Sequence, residues 1–184
     1  MDLTDPAALE LFVRDVAARC PTPTHLVHLP ALRVVNTRFK NCDEDRFERD
    51  MSVQIRSAVK LCKTFLPAMA KARQGRVLFM LTSYLLGVPP KNTAAYVMVK
   101  STLQGLAKSL AADYASFGVT VNCVMPSMME TKFLADTSDL IVQASAEANP
   151  MKRNARVEDV VPAMAFLLSE EAGFITGVTL PVTG

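Results

Sequence analysis

The sequence predicts an α/β protein: a parallel β-sheet with helices on its flanks. Three observations carry that expectation. A continuous apolar run of strand length, RVLFMLT at 76–82, suits a strand covered on both faces, and VTVNCVM at 119–125 reads as a second buried strand. Helical patterns stand before, between and after them, so helix and strand alternate, which implies parallel strands joined by crossovers. Turn formers such as VPPKN at 88–92 fall in the connections and not inside the runs.

Taken in order, Thr4-Asp5-Pro6 is a helix start, a capping side chain followed by a proline whose missing N–H costs nothing in the first turn. Leu9, Phe12, Val13, Val16 and Ala17 continue at helical spacing until PTP at 21–23. HLVHL at 25–29 reads as a short buried strand, and 30–42 as a loop with short turns. A long helix is expected from about 43 to 73, with Pro67 kinking or interrupting it and Gly75 closing it. After the strand at 76–82 and its loop, a helix from about 94 to 117 ends at Gly118, where a left-handed cap belongs. The segment 126–154 is less regular, with an amphipathic middle that could form a lid helix. A helix from about 157 to 169 and a last strand, VTLPV, complete the chain.

The 184 residues suit one domain, 1–184, with a substantial core. Half the residues are hydrophobic and 21% charged, a globular composition and not a disordered one. Basic residues alternate with acids, as in EDRFERD, so the net charge of +2 marks solvated faces and no nucleic-acid stripe. No run approaches the roughly 18 apolar residues of a membrane span, and MDLTDPAALELF lacks the pattern of a signal peptide. Cys20, Cys42, Cys62 and Cys123 lie far apart without a CxxC pair and read as free, mostly buried thiols, so the expected location is cytoplasmic. His25 and His28 flank the first strand and face opposite sides, too few ligands for a metal.

Tyr96 and Lys100 stand four apart and share a helix face. An ammonium beside a phenol favours the phenolate and lowers the phenol's pKa from about 10. Ser83, at the end of a parallel strand, lies at the carboxyl edge of the sheet, where α/β ligands bind. Its hydroxyl could hold a carbonyl oxygen while Tyr96 moves the proton. Alone, a Tyr-x-x-x-Lys pair is an ordinary helix-surface pair.

The wider context is more specific. GRVLFMLTS, AAYVMVKSTLQGLAKSLAADYASFGVTVNCVMPSMMET and RVEDVVPAMAFLLSEEAGFITGVTLPVTG resemble the short-chain dehydrogenase/reductase family, above all its 3-oxoacyl-acyl-carrier-protein reductases. The resemblance implies a Rossmann-like sheet and a catalytic Ser83, Tyr96 and Lys100. It places Gln54 where the family has a catalytic asparagine, and makes Asp2, near the adenine, and Thr131 vestigial cofactor contacts. Met128, Met129, Phe133, Leu134, Leu140 and Ile141 fall in the segment that lies over substrate in the family, although ordinary packing is the commoner use of such residues.

The resemblance begins at the family's third strand, whose end Met1-Asp2-Leu3-Thr4 resembles. The first two strands and the glycine-rich phosphate turn have no counterpart, and the first glycine is Gly75. His28-Leu29-Pro30-Ala31 replaces Asn-Asn-Ala-Gly, and Ser127 replaces the glycine after Pro126. The expectation is therefore a chain that by itself binds no nicotinamide cofactor in the usual way. It would act as an auxiliary partner of a full-length ketoreductase in acyl-chain metabolism, or self-associate, through helices around 44–72 and 94–117. An alternative is an active NADPH-dependent 3-oxoacyl reductase whose cofactor site is completed by another chain or a rearranged N-terminus. A third reading is cofactor-free isomerisation or dehydration beside a carbonyl.

Overall fold

Apolar alternation along the two central strands decides the architecture. The computed structural model describes residues 1–20 and 22–184. Four parallel strands, β1 (His25–His28), β2 (Gly75–Met80), β3 (Val119–Pro126) and β4 (Thr179–Val182), lie in the order β1-β2-β3-β4. Val77 and Phe79 of β2, with Val119, Val121, Cys123 and Met125 of β3, face one side. There they pack on α1 (Pro6–Arg19), α3 (Ser57–Ala72) and α4 (Ala94–Tyr114). Leu78 and Val124 face the other side and meet Val160 and Leu167 of α6 (Val157–Leu168). The sheet is thus covered on both faces, as the unbroken apolar run of β2 requires.

Several element ends follow directly from local chemistry. The Asp5 carboxylate accepts the Ala7 and Ala8 amides and caps α1, with Pro6 in the first turn. Pro21, expected to help end this helix, lies outside the described residues. Gly118 takes the left-handed conformation, φ 75°, after the short turn that extends α4. Residues 1–5 form no strand, because the Asp2 carboxylate instead turns the chain by accepting Thr4 N and Oγ1.

The long helix differs from expectation in where it breaks. It comprises α2 (Glu44–Met51), a π-helical turn (Ser52–Arg56) and α3, and Pro67 lies within α3 without interrupting it. Pro67 is exposed, so water can serve the carbonyl its missing N–H leaves free. The extra residue of the π turn rotates the helix so that Val53, Gln54 and Ser57 all turn inward. Gly75 opens β2 and is no cap, because Arg73 closes α3 at φ 53°. A Cβ at Gly75 would stand 2.9 Å from Met69, so close helix–strand packing requires glycine there.

The amphipathic stretch forms α5 (Asp139–Ala148), held from below by side-chain amides. Asn154 donates to Val142 O at 3.0 Å and Asn149 to Thr183 O at 2.7 Å. All four cysteines are free, but only Cys62 and Cys123 are buried, fewer than expected. Burial pushes both thiols up to about 12, so they stay neutral. Among the described residues no helix is long and apolar enough to cross a membrane, and no cluster of His, Cys, Asp or Glu could hold a metal.

Candidate active site

The carboxyl ends of parallel strands gather the chemistry. β2 delivers Thr82 and Ser83, β3 delivers Pro126 and Ser127, and the loop after β1 adds Leu29 and Val34 around a cavity of about 320 Å³. One face of α4 contributes Tyr96 and Lys100 to the same cavity. Its apolar wall is formed by Met128, Met129, Phe133, Leu134 and Ile141. Leu140, expected with them, is 76% exposed and stands outside. The volume lies at the small end of the ligand-pocket range.

Lys100 is only 2% exposed, and its Nζ donates to Met80 O at 2.9 Å and lies 5.8 Å from the Tyr96 ring centroid. Burial lowers its pKa to about 8, opposed chiefly by the Asp50 carboxylate. The Tyr96 phenol is pushed up to about 12, chiefly by burial; Thr82 favours the ionised form, while Tyr84 and Asp50 disfavour it. The expected lowering by Lys100 is not among the causes acting on the phenol: desolvation dominates, and the ammonium gives its hydrogen bond to Met80 O. A neutral, buried phenol is a proton donor in waiting. Tyr84 stacks edge-on against it, ring centroids 6.1 Å apart.

Thr82 and Ser83 lie side by side on the cavity wall with Tyr96. Ser83 begins a short 3-10 turn, Ser83–Leu85, that Thr82 caps by accepting Tyr84 N. Sequence spacing points to Ser83; the structure sets the more buried Thr82 hydroxyl beside it on the same wall.

The structure brings Ser83, Tyr96, Lys100 and Thr131 to one cavity. Thr131 Oγ1 also accepts Phe133 N at 3.3 Å, capping the turn Lys132–Leu134. Gln54 lies fully buried in the π turn, not on the cavity wall; its Nε2 donates to Asp50 Oδ1 at 2.7 Å. Asp2, on the surface with its carboxylate used by Thr4, is on neither cavity wall. Asp50 escaped the sequence reading, although its four-residue spacing from Gln54 was a usable signal.

His28, at the end of β1, is buried against Phe79 and bonded through Nε2 to Ser57 Oγ at 2.8 Å. The Ser57 hydroxyl donates to Val53 O, so it accepts from His28 and fixes the Nε2–H tautomer. Burial, with the Lys100 charge adding, lowers the His28 pKa to about 4.

For a dinucleotide, the nicotinamide end fits better than the phosphate end. Ser127 Oγ lines the cavity buried and without a partner, ready for an incoming polar group such as a carboxamide. A phosphate cradle needs a glycine-rich turn, and residues 1–74 contain no glycine.

Comparison with known proteins places this site in a family. The family model described as enoyl-(acyl carrier protein) reductase matches residues 1–184. The 3-oxoacyl-[acyl-carrier-protein] reductase of Escherichia coli is 32% identical over 184 residues, covering 100% of this chain and 75% of the relative. Among solved structures, 3-oxoacyl (acyl-carrier-protein) reductase from Agrobacterium tumefaciens with NADP bound superimposes with a TM-score of 0.88 at 27% identity, covering 100% of this chain and 71% of that one. A gluconate 5-dehydrogenase from Beutenbergia cavernae, with NADP at low occupancy, gives a TM-score of 0.90 at 26% identity, covering 100% and 73%. With its two-sided parallel sheet and its tyrosine and lysine at the strand ends, the chain belongs to the short-chain dehydrogenase/reductase family.

Proposed function

We propose that residues 1–184 form the proton-donating side of a nicotinamide-dependent carbonyl reductase acting on 3-oxoacyl substrates. The observation that carries it is the buried Tyr96 phenol, which lines one apolar cavity at the strand ends with Lys100, Thr82 and Ser83. Thr82 and Ser83 orient the carbonyl oxygen, and Tyr96 gives it the proton. Lys100 stabilises the phenolate left behind and is held in place by Met80 O. The methionine-rich wall suits a flexible acyl chain and keeps water from the reacting carbon. NADPH, when bound, supplies the hydride; Ser127 and Thr131 would hold its nicotinamide end, and the phosphate cradle comes from outside these residues.

Nicotinamide fluorescence tests the reading. NADPH titrated into the chain gives weak, saturable binding that strengthens with a 3-oxoacyl thioester present. A flat titration at millimolar NADPH overturns it.

A second reading is favoured by one observation. His28-Leu29-Pro30-Ala31 and Ser127 depart from the family on the cofactor side, and β1 is a sheet edge with Val27 and Leu29 exposed. In this reading the chain is an auxiliary partner of a full-length reductase, docked through α2–α3 and α4. Co-elution with such a reductase on a sizing column supports it; independent elution of the two removes it.

A further inference from the structure

Tyr96 borders two cavities, the catalytic one of about 320 Å³ and a second of about 200 Å³ between the loop after β1, α2 and the start of α4. A ring with open space on two sides has fewer packed neighbours to hold it than a ring in a filled core. The helix end adds little restraint: Tyr96 lies in the first turn of α4, and the N-cap Thr93 donates its hydroxyl to Pro90 O at 2.7 Å and not to the helix. We propose that Tyr84 is the positioning residue for Tyr96: its ring, standing edge-on in the wall of the catalytic cavity, fixes the orientation in which the Tyr96 phenol meets a substrate carbonyl. The inference rests on the reductase reading for its meaning in catalysis; the packing of the two rings does not.

The contact is directional. The ring centroids are 6.1 Å apart and the planes meet at 83°, so the positive edge of one ring faces the negative face of the other. An aliphatic side chain could fill the same space but would set no angle. Tyr84 is itself held by the backbone, because it sits in the 3-10 turn Ser83–Leu85. Thr82 Oγ1 accepts Tyr84 N at 3.4 Å, Thr82 O accepts Leu85 N at 3.2 Å, and Ser83 O accepts Leu86 N at 3.0 Å. That turn follows directly on β2. Lys100 Nζ, 5.8 Å from the centroid of the Tyr96 ring, is bonded to Met80 O at the end of the same strand. The end of β2 thus sets two neighbours of the phenol, Lys100 through a carbonyl and Tyr84 through a capped turn.

The ring of Tyr84 carries this role and its hydroxyl does not. No hydrogen bond fixes that hydroxyl among the described residues, and burial alone raises its pKa, so it stays neutral. Phenylalanine therefore serves in its place. Without an aromatic ring at position 84, Tyr96 is free to swing between its two cavities, and proton transfer is sensitive to displacements of about 1 Å.

The test compares Tyr84→Phe with Tyr84→Leu in the whole chain. Ring ¹³C relaxation reads the order of Tyr96, one of three tyrosines, assigned with Tyr96→Phe. The Tyr96 ring is as rigid in Tyr84→Phe as in the wild type, and in Tyr84→Leu its order parameter falls below about 0.6. In turnover of a 3-oxoacyl thioester with NADPH, Tyr84→Leu lowers kcat about tenfold or more while KM changes less than about threefold. Tyr84→Phe keeps kcat within about twofold of the wild type. A Tyr96 ring that stays rigid in Tyr84→Leu overturns the proposal, and so does a kcat in Tyr84→Phe as low as in Tyr84→Leu. Should Tyr84→Leu fail to fold, Tyr84→Met is read by the same criteria. A loosened Tyr96 ring in a chain whose wild type shows no turnover leaves the positioning standing and removes the reductase reading. Tyr96-dependent turnover with a rigid ring in Tyr84→Leu does the reverse.

Discussion

Replacing Lys100 with methionine makes the protein more stable at neutral pH while it destroys the site. The lysine is almost fully buried, so its charge has lost most of its hydration, and burial lowers its pKa from 10.5 to about 8. In the unfolded chain the ammonium forms below 10.5; in the folded one it forms only below about 8. The penalty is therefore absent at strongly alkaline pH, grows as pH falls from 10.5 to 8, and is fully present below 8. A shift of that size corresponds to about 3 kcal/mol at pH 7. Methionine fills similar volume without the charge, but it gives up the bond to Met80 O, worth about 1 kcal/mol. The net expectation is a gain of about 2 kcal/mol at pH 7 that falls to about zero near pH 10 and becomes a loss of up to about 1 kcal/mol above pH 11. Urea unfolding of both proteins at pH 7 and pH 10 measures it. A Lys100→Met protein that is less stable at pH 7, or a difference that does not change with pH, refutes the reasoning.

Further expectations come from the same geometry. Thr82→Val and Ser83→Ala each lower turnover by about tenfold or more, because both hydroxyls stand on the cavity wall with Tyr96; rates equal to wild type in both variants would remove the hydroxyl pair from the account. Gly118→Ala destabilises by about 2 kcal/mol or more, since φ is 75° and the new Cβ would stand 2.4 Å from Arg73 O, as thermal unfolding will read. On the acid side, stability falls as pH drops from 6.5 toward 4, because unfolded His28 takes up a proton that the folded ring refuses. A His28→Gln protein shows a flatter pH–stability curve between those values.

The two inner strands are legible because β2 is apolar on both faces and β3 on one, and Gly118 because a helix that ends at a lone glycine leaves few alternatives. The break in the long helix was not. Pro67 is the conspicuous residue, yet it faces solvent, and the π turn at Ser52–Arg56 bears no proline or glycine to announce it. At the site, the spacing of Tyr96 and Lys100 is a helix property and could be read directly. Which of two adjacent hydroxyls is the more buried after β2 depends on the last backbone torsions of the strand, below the resolution of spacing. The direction of the Tyr96 pKa escapes the sequence for a related reason: the neighbouring ammonium is visible in sequence, while the depth of burial that sets the direction belongs to the packing. Asp50 lay outside the expected motif altogether, and only the i, i+4 contact with Gln54 brings it into view.

The central claim is that Tyr96 donates the proton to a substrate carbonyl, and turnover with a single oxygen removed tests it most directly. NADPH consumption with a 3-oxoacyl thioester, followed for the wild type and Tyr96→Phe at equal concentration, should show activity that falls by about a hundredfold or more in the variant while unfolding stability stays close to wild type. Equal rates for the two proteins would contradict the account.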